Sequence, residues 1–162
     1  MLKTPKKSLD VCLKAGVLLV SLSSGYGRAL AGSCTGAGGT YLCGRAAQPL
    51  DDVTITRALV NSFTVKTLPG FGIDTSITGG DAIFLQSNGN LNFIDRNRSN
   101  ITGADAGIVA QATGSGALSI ATSGAVTGIN DPGIIAINTG TNLTISTASV
   151  SGGDGGIEAM NL

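Results

Sequence analysis

The chain has 162 residues, enough for one domain, and 42% of them are hydrophobic, so it can bury a core. Only 12% are charged, with ten basic and ten acidic residues. This excludes a highly charged disordered chain and gives no basic excess for binding nucleic acid. The sequence has no histidine, which excludes a His-dependent triad, a His general base and a His metal site.

Residues 1–31 have the pattern of a secretory signal peptide. Four lysines precede or begin a short apolar run over 15–22, and an A-x-A cleavage site lies at 29–31. A membrane-spanning helix is the alternative, but the run is far shorter than the roughly 20 residues that spanning takes. The pattern predicts export by the inner-membrane machinery, with cleavage before Gly32.

Two cysteines, Cys34 and Cys43, follow the predicted cleavage site. In an oxidising compartment such a pair reads as one small disulfide loop, worth about 2.5–3 kcal/mol in the chain-entropy picture. A redox or zinc pair is the alternative, but the spacing is not C-x-x-C and no other Cys or His is left to complete a zinc site. Residues 32–52, which contain the loop, are irregular and are predicted to form an N-terminal cap.

From residue 53 to residue 162 the chain repeats with a period of about 24 residues, a pattern typical of stacked architectures. Three motifs recur in phase. The first is a β-branched residue, a hydroxyl residue and glycine: Ile77-Thr78-Gly79, Ile101-Thr102-Gly103, Val126-Thr127-Gly128 and Val150-Ser151-Gly152, with Val53-Thr54 one period earlier. The second begins with aspartate and ends with isoleucine: Asp81-Ala82-Ile83, Asp105-Ala106-Gly107-Ile108, Asp131-Pro132-Gly133-Ile134 and Asp154-Gly155-Gly156-Ile157. The third is Leu91-Asn92-Phe93, Leu118-Ser119-Ile120 and Leu143-Thr144-Ile145.

The motifs alternate apolar and hydroxyl residues, as half-buried strands do, and turn-forming residues lie between them. A single period cannot bury enough apolar surface to offset its backbone entropy, so the coils must stack. We therefore predict an all-β fold, a right-handed parallel β-helix (β-solenoid) with three short strands per coil. The repeat region 53–162 is expected to be truncated and uncapped at its C-terminal end.

One column of equivalent positions indicates which side faces the core. Val109, Ile135 and Glu158 occupy the same place, and a glutamate inside an apolar core is costly, so this column is predicted to face outward. The inward set is then Ile108, Ala110, Ile134, Ala136, Ile157 and Ala159, with Ile83 and Leu85 in the earlier copy.

The leader, the Cys-pair cap and the Gly/Thr/Asn-rich coils resemble the start of an autotransporter passenger of the pertactin-like type. The resemblance covers residues 1–162 and is most specific over 77–162, in the Gly-Ile-x-Ala segments beginning at Gly107, Gly133 and Gly156 and in the Val/Ile-Thr/Ser-Gly column. It implies a right-handed β-helical passenger displayed at the cell surface or released, often for adhesion or virulence. The family's C-terminal outer-membrane barrel is expected but missing from this sequence, and without it the chain would reach only the periplasm.

Catalytic patterns are not found: no Gly-Asp-Ser-Gly motif, no histidine and no P-loop are present. Four aspartates, Asp81, Asp105, Asp131 and Asp154, recur about once per coil and are predicted to form a ladder along one edge. The ladder has two interpretations. Calcium binding is one, although the spacing of calcium-binding nonapeptide repeats is absent. The other is turn chemistry, in which each aspartate opens a turn and accepts bonds from its own backbone.

The segment 95–100, Asp-Arg-Asn-Arg-Ser-Asn, is the longest polar interruption of the repeat. Loops on rigid scaffolds often carry binding, and a solvated loop leaving the stack is the alternative interpretation.

Three functions remain open from the sequence. The first is an exported autotransporter-type passenger fragment, structural and adhesive and not an enzyme, with no cofactor and with a host-cell or matrix ligand. The second is the start of a secreted β-helical carbohydrate-active enzyme whose active coils lie beyond residue 162. The third is a calcium-stabilised surface repeat protein. The exported part, 32–162, has five basic and nine acidic residues and is therefore acidic.

Overall fold

The structure is a computed structural model that describes residues 32–47 and 54–162. The predicted signal peptide, the cap residues 48–52 and Val53 lie outside the described residues. All regular structure in the described part is β-strand, and the strands stack as a parallel β-solenoid of about five turns. The predicted fold class is confirmed.

Thirteen strands are described. They are β1 (Ser33–Ala37), β2 (Thr40–Gly44), β3 (Ile55–Leu59), β4 (Phe63–Thr67), β5 (Gly72–Asp74), β6 (Ile83–Ser87), β7 (Leu91–Ile94), β8 (Asn100–Gly103), β9 (Ile108–Ala112), β10 (Leu118–Gly128), β11 (Ile134–Asn138), β12 (Leu143–Gly152) and β13 (Ile157–Asn161). They fall into three columns of parallel strands. Column I is β3, β6, β9, β11 and β13, which form one sheet. Column II is β2, β4, β7 and the first halves of β10 and β12, and column III is β5, β8 and their second halves.

Column I is held together by a ladder of isoleucines. Ile55, Ile83, Ile108, Ile134 and Ile157 pair in register from coil to coil, in steps of 28, 25, 26 and 23 residues. The three central isoleucines are fully buried. Stacking thus gives every coil an apolar layer shared with its neighbours, the arrangement by which repeats acquire a continuous core.

The predicted inward and outward faces are correct in the inner coils. Ile83 and Leu85 are completely buried, as are Ala110 and Ala136. Ile135 of the outward column is half-buried and Glu158 is exposed. Val109 of the same column is nevertheless 93% buried, so one of its members is covered.

The third column shows why glycine ends the Val/Ile-Thr/Ser-Gly motif. Gly103, Gly128 and Gly152 are in register on successive coils. A Cβ atom on Gly103 would lie 1.8 Å from the carbonyl oxygen of Ala106, and one on Gly152 would lie 2.2 Å from that of Gly155. The chain folds back so tightly after these strands that no side chain fits there.

The predicted first members of this column are wrong. Ile77-Thr78-Gly79 lies in a turn, with Ile77 exposed and Gly79 at a φ of 87°. Its place is taken by β5, in which Ile73 pairs with Ile101. Thr54 does not belong to this column either, because it precedes β3 in column I.

The number of strands per coil also differs from the prediction in the later coils. The second coil has three separate strands, β6, β7 and β8. In the third and fourth coils a single long strand, β10 or β12, passes through columns II and III and pairs with both. The corner between these columns narrows along the stack: 10 residues separate Leu91 from Ile101, whereas 8 separate Leu118 from Val126.

The first described residues form an antiparallel hairpin, β1 and β2, that lies on the first coil. Cys34 and Cys43 face each other in the hairpin and their sulfur atoms are bonded. β2 then pairs in parallel with β4 and so adds a layer to column II. The Tyr41 ring packs edge-on against Phe63, with 6.0 Å between ring centres, and so covers the core at this end.

The other end of the described stack is open. Ile157 is 46% exposed, and all of β13 is solvent-accessible. Leu143, Ile145 and Val150 of β12 are only partly buried where they pack on the core. No helix in the described residues has the length and apolar character needed to cross a membrane.

Candidate functional site

The stack brings the charged residues together at two of its corners. The acidic corner lies between column III and the next strand of column I, and contains Asp81, Asp105, Asp131 and Asp154, each two or three residues before an isoleucine of the ladder. The basic corner lies between columns II and III, at the turns that follow β2, β4 and β7, and contains Arg45, Lys66, Arg96 and Arg98. Both corners follow the stack axis, so their residues lie on successive coils.

At the acidic corner the aspartates bond between coils. The Ala106 amide donates to Oδ1 of Asp81 at 3.1 Å, and the Asn130 side-chain amide donates to Oδ1 of Asp105 at 3.5 Å. Both bonds reach about one coil along the chain, so the prediction that these aspartates accept from their own turn differs from the structure at these two positions. The local two-residue turn occurs instead at Asp74, whose Oδ1 accepts from the amide of Ser76 at 3.0 Å.

Burial raises the pKa of the Asp81 carboxyl above its ordinary value. The bond from Ala106 lowers this pKa, and the nearby carboxylates of Asp105 and Asp131 raise it further. Among the described residues no group of three or more Asp, Glu, Cys or His side chains is placed to hold a metal ion. The acidic corner is therefore a row of mutually repelling carboxylates joined to neighbouring coils by hydrogen bonds.

At the basic corner one carboxylate is buried. Asp95, at the end of β7, is only 2% exposed, and its two oxygens accept hydrogen bonds at 2.6–3.4 Å from seven uncharged donors. The donors are the hydroxyls of Thr67, Ser99 and Ser123 and the amides of Asn97, Ser99, Ser123 and Gly124. They come from the first, second and third coils, so one side chain joins three layers.

The donors determine the ionisation of Asp95. Burial alone would raise its pKa, but the hydrogen bonds from Thr67, Ser99, Asn97 and Ser123 outweigh burial and lower the pKa to about 2. Asn97 reinforces the cluster, because its side-chain amide donates to the Thr67 carbonyl at 2.7 Å. The prediction of a solvated loop leaving the stack is therefore wrong for the backbone of 95–99, which is fixed to both neighbouring coils.

The arginines of this turn do face solvent. Arg96 and Arg98 are exposed on either side of Asn97. Lys66 and Arg96, together with Thr67 and Ile94, line a shallow cavity of about 150 Å³. The sequence indicated the two arginines, but it did not indicate that Lys66 and Arg45 lie beside them, because those residues are separated along the chain by one and two coils.

Two of these arginines have an unusual backbone. Arg45, at a φ of 77°, and Arg98, at 55°, are the non-glycine residues with positive φ in the described part of the chain. The left-handed conformation costs a residue with a Cβ atom about 1 kcal/mol and costs glycine almost nothing. Backbone strain of this kind concentrates at functional sites.

A comparison with protein-family models finds no matching family, and searches of curated proteins and of solved structures find no significant match.

Proposed function

We propose that the chain is an exported β-solenoid of the autotransporter-passenger type, with a structural and adhesive role at the cell surface and no catalytic activity. The observation that carries the proposal is the stack itself: parallel coils in register around one apolar core, which is the fold that the resemblance implies. In this proposal the inner-membrane export machinery recognises residues 1–31, and an outer-membrane barrel is the expected partner for display. The adhesive ligand is a molecule of a host cell or its matrix.

The surroundings of the carboxylates support a role without catalysis. Catalytic acids need an oxygen that can reach a substrate. Both oxygens of Asp95 are occupied by donors within the stack, and one oxygen each of Asp81 and Asp105 accepts from the next coil. These bonds assign the carboxylates of the described coils to holding the layers together.

Export is tested by expressing the full chain with a C-terminal epitope in a Gram-negative host. We expect periplasmic protein that begins at Gly32, with Cys34 and Cys43 resistant to thiol labelling until reduced. A matched variant that lacks residues 1–31 should stay in the cytoplasm with both thiols free. Full-length protein beginning at Met1 in the cytoplasm would contradict the proposal.

Display and adhesion are tested by joining the full chain to an outer-membrane translocator barrel. We expect the epitope to become accessible to antibody and protease on intact cells, and the cells to bind extracellular matrix more than cells that display the barrel alone. Failure to reach the surface, or equal binding by both kinds of cell, would contradict the adhesive role.

A further inference from the structure

The exported part of the chain is acidic, yet its cations are concentrated in one place. Of the five basic residues in 32–162, four lie at the basic corner; the fifth, Arg57, lies on column I with its guanidinium 5.2 Å from the centre of the Tyr41 ring. The basic corner has one carboxylate, Asp95, which is buried. A local positive potential on a protein of net negative charge selects for an anion at that place instead of attracting polyanions to the whole surface.

The cations are ordered along the stack axis. The carbonyl of Arg45 accepts a bond from the amide of Gly72 at the first-coil turn, and the Thr67 carbonyl of that turn accepts from Asn97 between the two second-coil arginines. Lys66 pairs in register with Ile94, two residues before Arg96. Since neighbouring strands lie about 4.8 Å apart, the positive charges follow one another along a line parallel to the axis.

The strained arginines support a role for these side chains in binding. Glycine would adopt the backbone of Arg45 and Arg98 without strain, and the chain uses glycine at seven other described positions of positive φ. Folding alone therefore favours glycine at both positions. An arginine is expected there if its guanidinium contributes something that glycine cannot, such as an ion pair with a ligand.

The face beside the corner indicates the class of ligand. Thr40, Thr64, Asn92, Ser119 and Thr144 are in register on the outward side of column II and form a row of hydroxyl and amide groups. Such groups hydrogen-bond to sugar hydroxyls. The row contains no aromatic side chain, and aromatic rings are the usual platform for the bases of single-stranded nucleic acid.

We propose that the basic corner and this polar row bind one chain of an acidic polysaccharide, carboxylated or sulfated, that lies along the stack axis. Its anionic groups pair with Arg45, Lys66, Arg96 and Arg98, and its hydroxyls face the row of column II. The inference rests on the proposed function, since it identifies the adhesive surface and the ligand class of the exported solenoid.

The test measures binding of the purified full-length product to heparin and polygalacturonate by calorimetry, with neutral dextran, oligo(dT) and vesicles containing 30% phosphatidylglycerol as alternative probes. We expect binding to the acidic polysaccharides that weakens as salt rises, and none to dextran. Arg96→Gln should lower the affinity about fivefold, the effect of one exposed ion pair. Gln111→Glu is the matched control: it changes the net charge equally on column I, keeps the acceptor for Gln86 and should leave the affinity unchanged.

Arg98→Gly separates binding from folding. It should lower the affinity about fivefold while raising the melting temperature by about 3 °C, because glycine relieves the backbone strain. Unchanged affinity in both arginine variants, or an equal loss in Gln111→Glu, would overturn the inference. Stronger binding to oligo(dT) or to the vesicles, with the same dependence on Arg96 and Arg98, would overturn the ligand class. Export with no polysaccharide binding refutes this inference alone, and binding by a protein that is not exported refutes the proposed function alone.

Discussion

The two charged corners use the same residue type in opposite ways. Asp95 is buried, is surrounded by donors from three coils and has a pKa lowered to about 2. Asp81, at the acidic corner, has a raised pKa because it loses solvation and lies near two further carboxylates. The aspartate that occurs once is therefore bound most strongly in its ionised form, whereas the charge on Asp81, in the row that repeats, is disfavoured by its surroundings.

The difference shows that periodicity and energetic importance are separate properties. A residue recurs in a solenoid when every coil has the same local need, such as a polar residue at a turn. A residue that joins coils of unequal corner length has no equivalent elsewhere, and Asp95 lies where the corner between columns II and III changes from long to short. The predictions below compare the two corners directly.

The largest effect is expected for Asp95→Ala. It leaves seven donors without their acceptor in a water-poor corner, and we expect the free energy of unfolding to fall by about 3 kcal/mol. Urea denaturation followed by circular dichroism measures it. Asp74→Ala removes an equal charge from a turn at a part-buried position and should cost less than about 1 kcal/mol. Equal losses in the two variants would show that the seven donors find other partners.

The acid response is the second expected effect. Because the folded pKa of Asp95 lies below its unfolded value near 4, its contribution to stability is complete above about pH 4 and is lost as the pH falls towards 2. The difference in unfolding free energy between wild type and Asp95→Asn should therefore shrink over this range. A difference that stays constant from pH 5 to pH 2 would contradict the assignment.

A smaller effect of opposite sign is expected at the acidic corner. The raised pKa of Asp81 means that its ionisation weakens the folded state as the pH rises above the unfolded value. Asp81→Asn keeps an acceptor for the Ala106 amide and removes the repulsion, so it should stabilise the protein at pH 7 by about 0.5 kcal/mol. Chemical denaturation at pH 7 checks this, and destabilisation by Asp81→Asn would be the contrary result.

The smallest expected effect is that of calcium. The carboxylates of the acidic corner lie on separate coils, and those of Asp81 and Asp105 already accept bonds from the protein. We expect the melting temperature to be the same with millimolar calcium and with chelator. A calcium-dependent rise that Asp105→Asn abolishes would restore the calcium interpretation.

Much of the fold was predictable because it depends on local patterns. The alternation around Ile108 and Ile134 set their direction, and the shared Gly-Ile-x-Ala motif set the register of column I. The first member of column III was not predictable from spacing. Ile77-Thr78-Gly79 keeps the period of 24, but Ile73 forms the strand because the first coil turns earlier.

The candidate site was less predictable, because its contacts are not local. The donors to Asp95 from Thr67 and Ser123 are each 28 residues away, and which residue reaches which depends on the turn lengths in two coils. Arg45 and Lys66 likewise join the corner only through stacking. The sequence could identify 95–100 as unusual, and the structure was needed to show that its acid is buried and its arginines are exposed.

The isoleucine ladder has an evolutionary consequence. Because Gly107-Ile108 and Gly133-Ile134 begin consecutive coils in the same register, removing 108–133 would join Gly107 to Ile134 and restore the same junction. Unequal recombination between such segments can shorten or lengthen the stack by whole coils without disturbing a core layer. The turn around Asp95 cannot be exchanged in this way, since its donors are spread over three coils, so this corner would stay fixed while the remainder of the solenoid varied in length.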